Sequence, residues 1–157
     1  MRKEKTNQLV QLVQLAIVTA ISIVLGMFIS IPTPTGFLTL LDAGIFFAAF
    51  YFGKKEGAVV GALAGFLIDL LKGYPNWMFF SLLIHGAQGY LAGLPGRRRL
   101  LGLISATLVM VLGYAIASGL MYGWGAVLPD IPGNIMQNMV GMVVGFALNK
   151  SLERVKK

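Results

Sequence analysis

The chain has 157 residues, 57% of them hydrophobic and 12% charged, with a mean hydropathy of +0.78 and a formal net charge of +7. Soluble domains carry roughly 25% charged residues, so the composition excludes an ordinary soluble domain and points to lipid as the solvent. The chain has no cysteine, which excludes disulfides, thiolate catalysis and Cys-based metal sites.

Apolar runs near the ~20 residues needed to cross a ~30 Å hydrocarbon core recur along the whole chain. Residues 1–7 form a short basic leader, and helix 1 follows from Leu9 to Ile31. That run is too long for a signal-peptide core and has no small-residue cleavage site behind it. Pro32-Thr33-Pro34-Thr35-Gly36 breaks it as a first loop. Helix 2 is expected over Phe37–Phe52, with Asp42 near its start, and Gly53-Lys54-Lys55-Glu56 is a tight basic turn. Helix 3 is expected over Gly57–Leu71. After the break Gly73-Tyr74-Pro75-Asn76, helix 4 covers Trp77–Leu94. Pro95-Gly96-Arg97-Arg98-Arg99 is a second basic turn, and helix 5 runs from Leu100 to Met121. A loop rich in Gly, Pro and aromatic residues, Tyr122–Gly133, leads to helix 6 at Asn134–Leu148 and a charged tail.

The expected architecture is therefore an all-α membrane protein, a single integral-membrane domain over 1–157 with six crossings. Six crossings place both termini on one side. Of the 13 Lys and Arg residues, all but Lys72 then fall on that side, in the termini and the two basic turns. The positive-inside rule makes that side the cytoplasm. The basic charge reads as topology: no basic helix face or aromatic–basic interleaving is present to serve nucleic acid.

Small residues recur at four-residue spacing: Gly57, Gly61 and Gly65 with Ala58 and Ala62 on helix 3, Gly113 and Ala117 on helix 5, Gly141 and Gly145 on helix 6. In lipid such residues let helix backbones approach closely, and internal packing is their simplest use. Ala16 and Ala20 on helix 1 admit either internal packing or docking onto a partner.

Asp69 is an acid within an apolar helix pattern. Trp77, Ser81, His85 and Gln88 fall within about 80° on helix 4. Counting 1.5 Å per residue puts Asp69 ~18 Å above the cytoplasmic turn and His85 ~12 Å below the outer surface, at a similar level in the outer half. Ionisable groups at that depth mark a functional site or a mutual pair. Two readings stand: an Asp69–His85 or Asp69–Lys72 contact that tethers helices, or a ligand cavity open to the outside. Asn134, Gln137 and Asn138 share one face of helix 6, within about 100°. Their amides either recognise a small heteroaromatic ligand or cap and cross-link helices, with Asn134 placed to cap after Pro132-Gly133. Tyr74, Trp77, Tyr122 and Trp124 crowd the same outer end, as interface anchors or as a stacking surface. The sequence has no G-x4-G-K-[ST], H-E-x-x-H or G-x-S-x-G motif and one histidine, so it reads as a binder without its own energy source.

Ala16-Ile17-Val18-Thr19-Ala20, Leu41-Asp42, Gly53-Lys54-Lys55-Glu56-Gly57, Asp69-Leu70-Leu71, His85-Gly86 and Ala92-Gly93, in this order on six short helices, resemble the S components of energy-coupling factor (ECF) vitamin transporters. The resemblance covers nearly the whole chain and is nearest the riboflavin, hydroxymethylpyrimidine and pyridoxine branch. It implies vitamin or vitamin-precursor binding from outside, as the substrate-binding subunit of an ATP-driven transporter in a bacterial cell membrane. No catalytic site and no cofactor or metal are implied in this chain; ATP and Mg belong to partner subunits, two ATPases working with a transmembrane T component. Ala16 and Ala20 become the docking pair, and the substrate site becomes Trp77, Ser81, His85, Gln88, Tyr122, Trp124, Asn134 and Asn138, with Asp69 beside them. Few charges in the expected cavity favour a small neutral aromatic ligand such as hydroxymethylpyrimidine or pyridoxine over thiamine, biotin or folate. The competing readings are an S component for another vitamin (riboflavin, pantothenate), a structural membrane protein whose polar residues only pack helices, and a membrane enzyme acting on lipid or isoprenoid substrates through Asp69 and His85.

Overall fold

The computed structural model describes residues 2–155. The chain forms α1 (Arg2–Phe28), β1 (Ser30–Pro32), β2 (Phe37–Thr39), α2 (Leu41–Tyr51), α3 (Lys54–Lys72), α4 (Met78–Ala92), α5 (Arg99–Tyr122) and α6 (Val127–Val155). Single turns of tighter helix at Gly96–Arg98 and Trp124–Ala126 lead into α5 and α6. Lys156 and Lys157, which contribute to the basic-terminus reading, lie outside the described residues, as do the side chains of Arg2, Lys3 and Lys5.

Several boundaries differ from expectation for identifiable reasons. The first apolar run does not stay helical to Ile31. Ser30–Pro32 pairs antiparallel with Phe37–Thr39, in the register Ser30 to Thr39 and Pro32 to Phe37. Hydropathy is continuous across Phe28–Ile31, so it cannot mark where a helix gives way to a strand. Helix 2 consequently starts at Leu41 rather than Phe37. In the basic turn only Gly53 is outside a helix; Lys54, Lys55 and Glu56 form the first turn of α3, where the Glu56 carboxylate suits the helix dipole. The largest difference is α6, which begins at Val127 and contains Pro132. A proline forfeits one N–H bond, yet Pro132 lies in the second turn, close enough to the start for the helix to continue through it. Gly73 closes α3 as expected, in a left-handed conformation (φ 81°) that lets Tyr74 N–H reach the Asp69 carbonyl at 2.8 Å.

α2 is the hub. It packs against α1, α3, α4 and α6, and Leu41 to Phe46 are all buried. An 11-residue helix that is apolar nearly all round can only be a core helix, and at ~16 Å it is far shorter than a ~30 Å hydrocarbon layer. α3 and α4 form the most extensive helix pair, α5 and α6 complete the ring, and α1 lies across α2 and α3. Three helices are long and apolar enough to cross a membrane, within Asn7–Phe28, Gly96–Tyr122 and Trp124–Arg154. Their outer faces are covered with exposed Leu, Ile, Val and Met, including Leu12, Ile17, Leu108, Leu112, Ile116 and Val143, a surface fit for lipid rather than water.

The glycine series packs helices, as its spacing implied. A Cβ at Gly57 would meet the Gly89 carbonyl, one at Gly61 the His85 carbonyl, and one at Gly65 the Ser81 carbonyl, so α3 lies directly on the α4 backbone. Gly141 and Gly145 of α6 do the same against Asp42 and Phe46 of α2. Gly61→Val is expected to lower stability by about 1–3 kcal/mol through overpacking, seen as a reduced Tm in detergent. Gly125→Ala, whose Cβ would meet nothing within 4 Å, should leave the Tm unchanged.

Candidate functional site

A cavity opens where the β1–β2 hairpin, the ends of α2 and α3, the start of α4, the middle of α5 and the start of α6 converge. It encloses about 610 Å³ of space free of atoms, part of it open to solvent. Its floor carries Asp69, His85 and Tyr114, its sides Trp77, Ile68 and Leu41, and its α6 wall Asp130, Asn134 and Gln137.

The hairpin roofs this space because side chains from two helices hold it there. Thr33 N–H and the Gly36 carbonyl close its tip at 3.0 Å. Thr35 Oγ1 donates to Asp130 Oδ1 at 2.7 Å, and Trp77 Nε1 donates to the Thr35 carbonyl at 2.9 Å. Further along, Thr39 N–H donates to Gln137 Oε1 at 2.7 Å. Ser118 of α5 donates to the other Asp130 oxygen, so that one carboxylate joins α5, α6 and the hairpin tip. Lys72 does not meet Asp69; its ammonium donates to Ser30 Oγ at 2.7 Å and lies 4.6 Å from the Phe37 ring centroid.

The floor is a hydrogen-bonded chain. His85 Nδ1 lies 2.7 Å from Gln88 Oε1 and 3.2 Å from Asp42 Oδ1, and Nε2 lies 3.0 Å from Tyr114 Oη. Tyr114 Oη is 2.7 Å from Ser81 Oγ, and Tyr114 shares the floor with Asp69. Behind His85, Gln88 Nε2 and Asn138 Nδ2 both donate to Met110 Sδ, at 3.2 and 3.3 Å, and Thr107 Oγ1 donates to Asn138 Oδ1 at 2.8 Å. All of these side chains but Thr107 and Tyr114 are at least nine-tenths buried.

Asp69, Trp77, His85 and Asn134 line the cavity. Ser81, Gln88 and Asn138 do not line it; they brace the groups that do. Tyr122 and Trp124 also lie outside the lining. Tyr122 is half-exposed and supports Trp77, its hydroxyl 3.1 Å from Trp77 Nε1. Trp124 is 69% exposed and packs on Gly119. Gly123 between the two rings has a positive φ of 91°. Asn134 does not cap a helix, since α6 starts seven residues earlier; its amide donates back to the Asp130 carbonyl at 3.0 Å. The Asp69–His85 tether is also revised, because the carboxylate at ion-pair distance from His85 is Asp42.

The cavity is more acidic than its expected scarcity of charge, with Asp69 and Asp130 in its lining and Asp42 behind His85. Asp42 carried the same signal as Asp69, an acid inside an apolar run. Tyr114 left almost none, being one of five hydroxyls scattered along an otherwise apolar helix. An aromatic wall (Trp77 and Tyr114, ring centroids 5.5 Å apart) beside a carboxylate and two amides suits a flat heteroaromatic ring bearing hydrogen-bond donors.

Because Asp130 pins the hairpin tip, Asp130→Ala is expected to release it. Amide hydrogen exchange around Thr33–Gly36 should then accelerate by roughly 10- to 100-fold, as loss of charge-assisted hydrogen bonds of ~1.5–3 kcal/mol requires. Unchanged exchange there would mean that Asp130 does not hold the tip.

The family described as "ECF-type riboflavin transporter, S component" matches residues 6–154. The chain is 50% identical over 147 residues to the "Thiamine precursor transporter HmpT" of Lactococcus lactis subsp. cremoris (strain MG1363), covering 92% of this chain and 88% of that one. It is 33% identical over 132 residues to an "Uncharacterized protein in gap 3'region" of Pyrococcus woesei, over 80% of this chain and 88% of that one. Among solved structures, one described as "Structure and mechanism of the S component of a bacterial ECF transporter" superposes with a TM-score of 0.75 at 27% identity, covering 96% of this chain and 99% of that one. With a lipid-facing all-helical fold, a roofed polar cavity and these relatives, the chain belongs to the ECF-type transporter S components, the membrane subunits of vitamin transporters.

Proposed function

We propose that the protein captures a pyrimidine precursor of thiamine, 4-amino-5-hydroxymethyl-2-methylpyrimidine, and delivers it for ATP-driven uptake. The observation that carries this reading is Asp69. Its carboxylate lines the cavity, is 5% exposed, and has one oxygen without a hydrogen-bond partner among the described residues. A buried acceptor left open in a cavity asks for a donor from the ligand. An aminopyrimidine supplies one in its exocyclic amine, along with a flat ring for Trp77 and a hydroxyl for the Asn134 or Gln137 amides. The thiamine precursor transporter that is 50% identical supports the same ligand. Pyridoxine, riboflavin and pantothenate are the alternatives to be compared.

In this reading Asp69, Trp77, His85 and Asn134 contact the ligand, while Ser81, Gln88 and Asn138 hold them. The cavity opens outward, and both termini, Lys54–Lys55 and Arg97–Arg99 face the cytoplasm. The short helices complete six passes of one membrane domain by tilting rather than by length. The chain itself needs no cofactor and performs no chemistry. A T component receives it, and two ATPase subunits with ATP and Mg supply the energy. Ala16 and Ala20 are both exposed on α1, where small side chains leave a flat strip for a partner helix.

Isothermal titration of the purified protein with this pyrimidine should give tight 1:1 binding, and Asp69→Asn should weaken it roughly 10- to 100-fold. No binding to it, or tighter binding of riboflavin, pyridoxine or pantothenate in the same assay, would overturn the assignment. Ala16→Trp with Ala20→Trp should abolish uptake in cells while leaving the titration unchanged. Persistent uptake would remove α1 as the docking face.

A further inference from the structure

Asp42 is fully buried and is not part of the cavity lining described above. It sits in the first turn of α2, with Gly141 of α6 seated against its Cβ. Neither of its oxygens has a hydrogen-bond partner among the described residues, and no lysine or arginine pairs with it there. A buried carboxylate without compensation is strongly unfavourable. Its compensating neighbour is the His85 ring, with Nδ1 3.2 Å from Oδ1.

The surroundings decide where the His85 ring carries a proton. Gln88 directs its amide nitrogen to Met110 Sδ, which leaves its Oε1, an acceptor, facing Nδ1 at 2.7 Å. Asp42 Oδ1 lies at ion-pair distance from the same nitrogen without taking its hydrogen bond. A ring nitrogen that faces an amide oxygen beside a carboxylate carries the proton. Nε2 then faces Tyr114 Oη, which is bonded in turn to Ser81 Oγ, and His85 and Tyr114 share the cavity floor with Asp69.

We propose that Asp42 is a positioning residue for ligand capture. Acting through His85, it holds the ring in one orientation with Nδ1 protonated, and so fixes what His85 Nε2 and Tyr114 present at the cavity floor. The functional part of this inference rests on the reading of the cavity as the ligand site. The structural part does not. The role is one that no cavity lining reveals, because Asp42 reaches the ligand only by way of the histidine.

The chain contains one histidine, so nitrogen-15 NMR of the imidazole in detergent reports this ring alone. The wild type is expected to carry a proton on Nδ1, and Asp42→Asn to lose that preference, with a growing fraction of the tautomer bare at Nδ1. The same substitution should raise the Kd for 4-amino-5-hydroxymethyl-2-methylpyrimidine roughly 10- to 100-fold. Asp42→Asn combined with His85→Gln should bind no more weakly than His85→Gln alone, the non-additivity expected of a residue acting through another. An unprotonated Nδ1 in the wild type overturns the proposal, even if Asp42→Asn fails to fold. Additive losses in the double variant overturn it equally, since Asp42 would then act independently of His85. Should the wild type not bind the pyrimidine, the ligand assignment fails and with it Asp42's role in capture, while the spectrum still decides whether Asp42 sets the ring.

Discussion

The contact on which the rest depends is the backbone-to-backbone packing of α3 against α4. Gly57, Gly61 and Gly65 on one side and Gly89 on the other let the two helix backbones approach with no room for a further Cβ at any of these positions. In lipid, two apolar helices gain little from hiding from the solvent, so close dispersion contact has to hold them together. That contact also sets the site. Drawing α3 onto the carbonyls of Ser81 and His85 brings Asp69 into the same cavity floor as His85. A larger residue at Gly61 or Gly65 would separate the helices and the two polar groups together.

α2 solves a different problem. It is short, apolar nearly all round and enclosed by four other helices, which is a costly place for a carboxylate. Asp42 is nevertheless there, with the ring of His85 against it and Gln88 bonded to the same ring nitrogen. From that ring a polar seam runs in two directions: outward through Tyr114 to Ser81, and inward through Gln88, Met110 and Asn138 to Thr107. Each partly satisfied group depends on the next for its orientation, so the seam fixes how α2, α4, α5 and α6 rotate relative to one another. The same restriction makes the cavity floor rigid and leaves Asp69 with the open acceptor.

The roof is less deeply rooted. Six residues of strand with a four-residue tip bury little, and the hairpin keeps its place through hydrogen bonds to Trp77, Asp130 and Gln137. The rigid floor and the locally pinned roof therefore belong to different stability classes, a division common to sites that must admit and then enclose a ligand.

The sequence by itself determined the membrane environment, the number and order of the helices, the small-residue faces and the shared level of Asp69 and His85, because hydropathy, helical period and glycine spacing are local properties. Asp69, Trp77, His85, Asn134 and Gln137 of the cavity lining were legible for the same reason: polar and aromatic residues on an apolar helix stand out. What only the tertiary structure decided was which of them meet. Asp42 and Asp69 look alike in sequence, yet the approach of α2 and α6 puts one behind the histidine and the other into the cavity. Tyr122 and Trp124 carry the expected aromatic signature, yet one braces Trp77 and the other packs on Gly119, outside the lining. The extension of α6 back through Pro132 and the strand pairing after α1 are likewise decided by partners distant in sequence, Thr35 for Asp130 and Gln137 for Thr39, which no local pattern can announce.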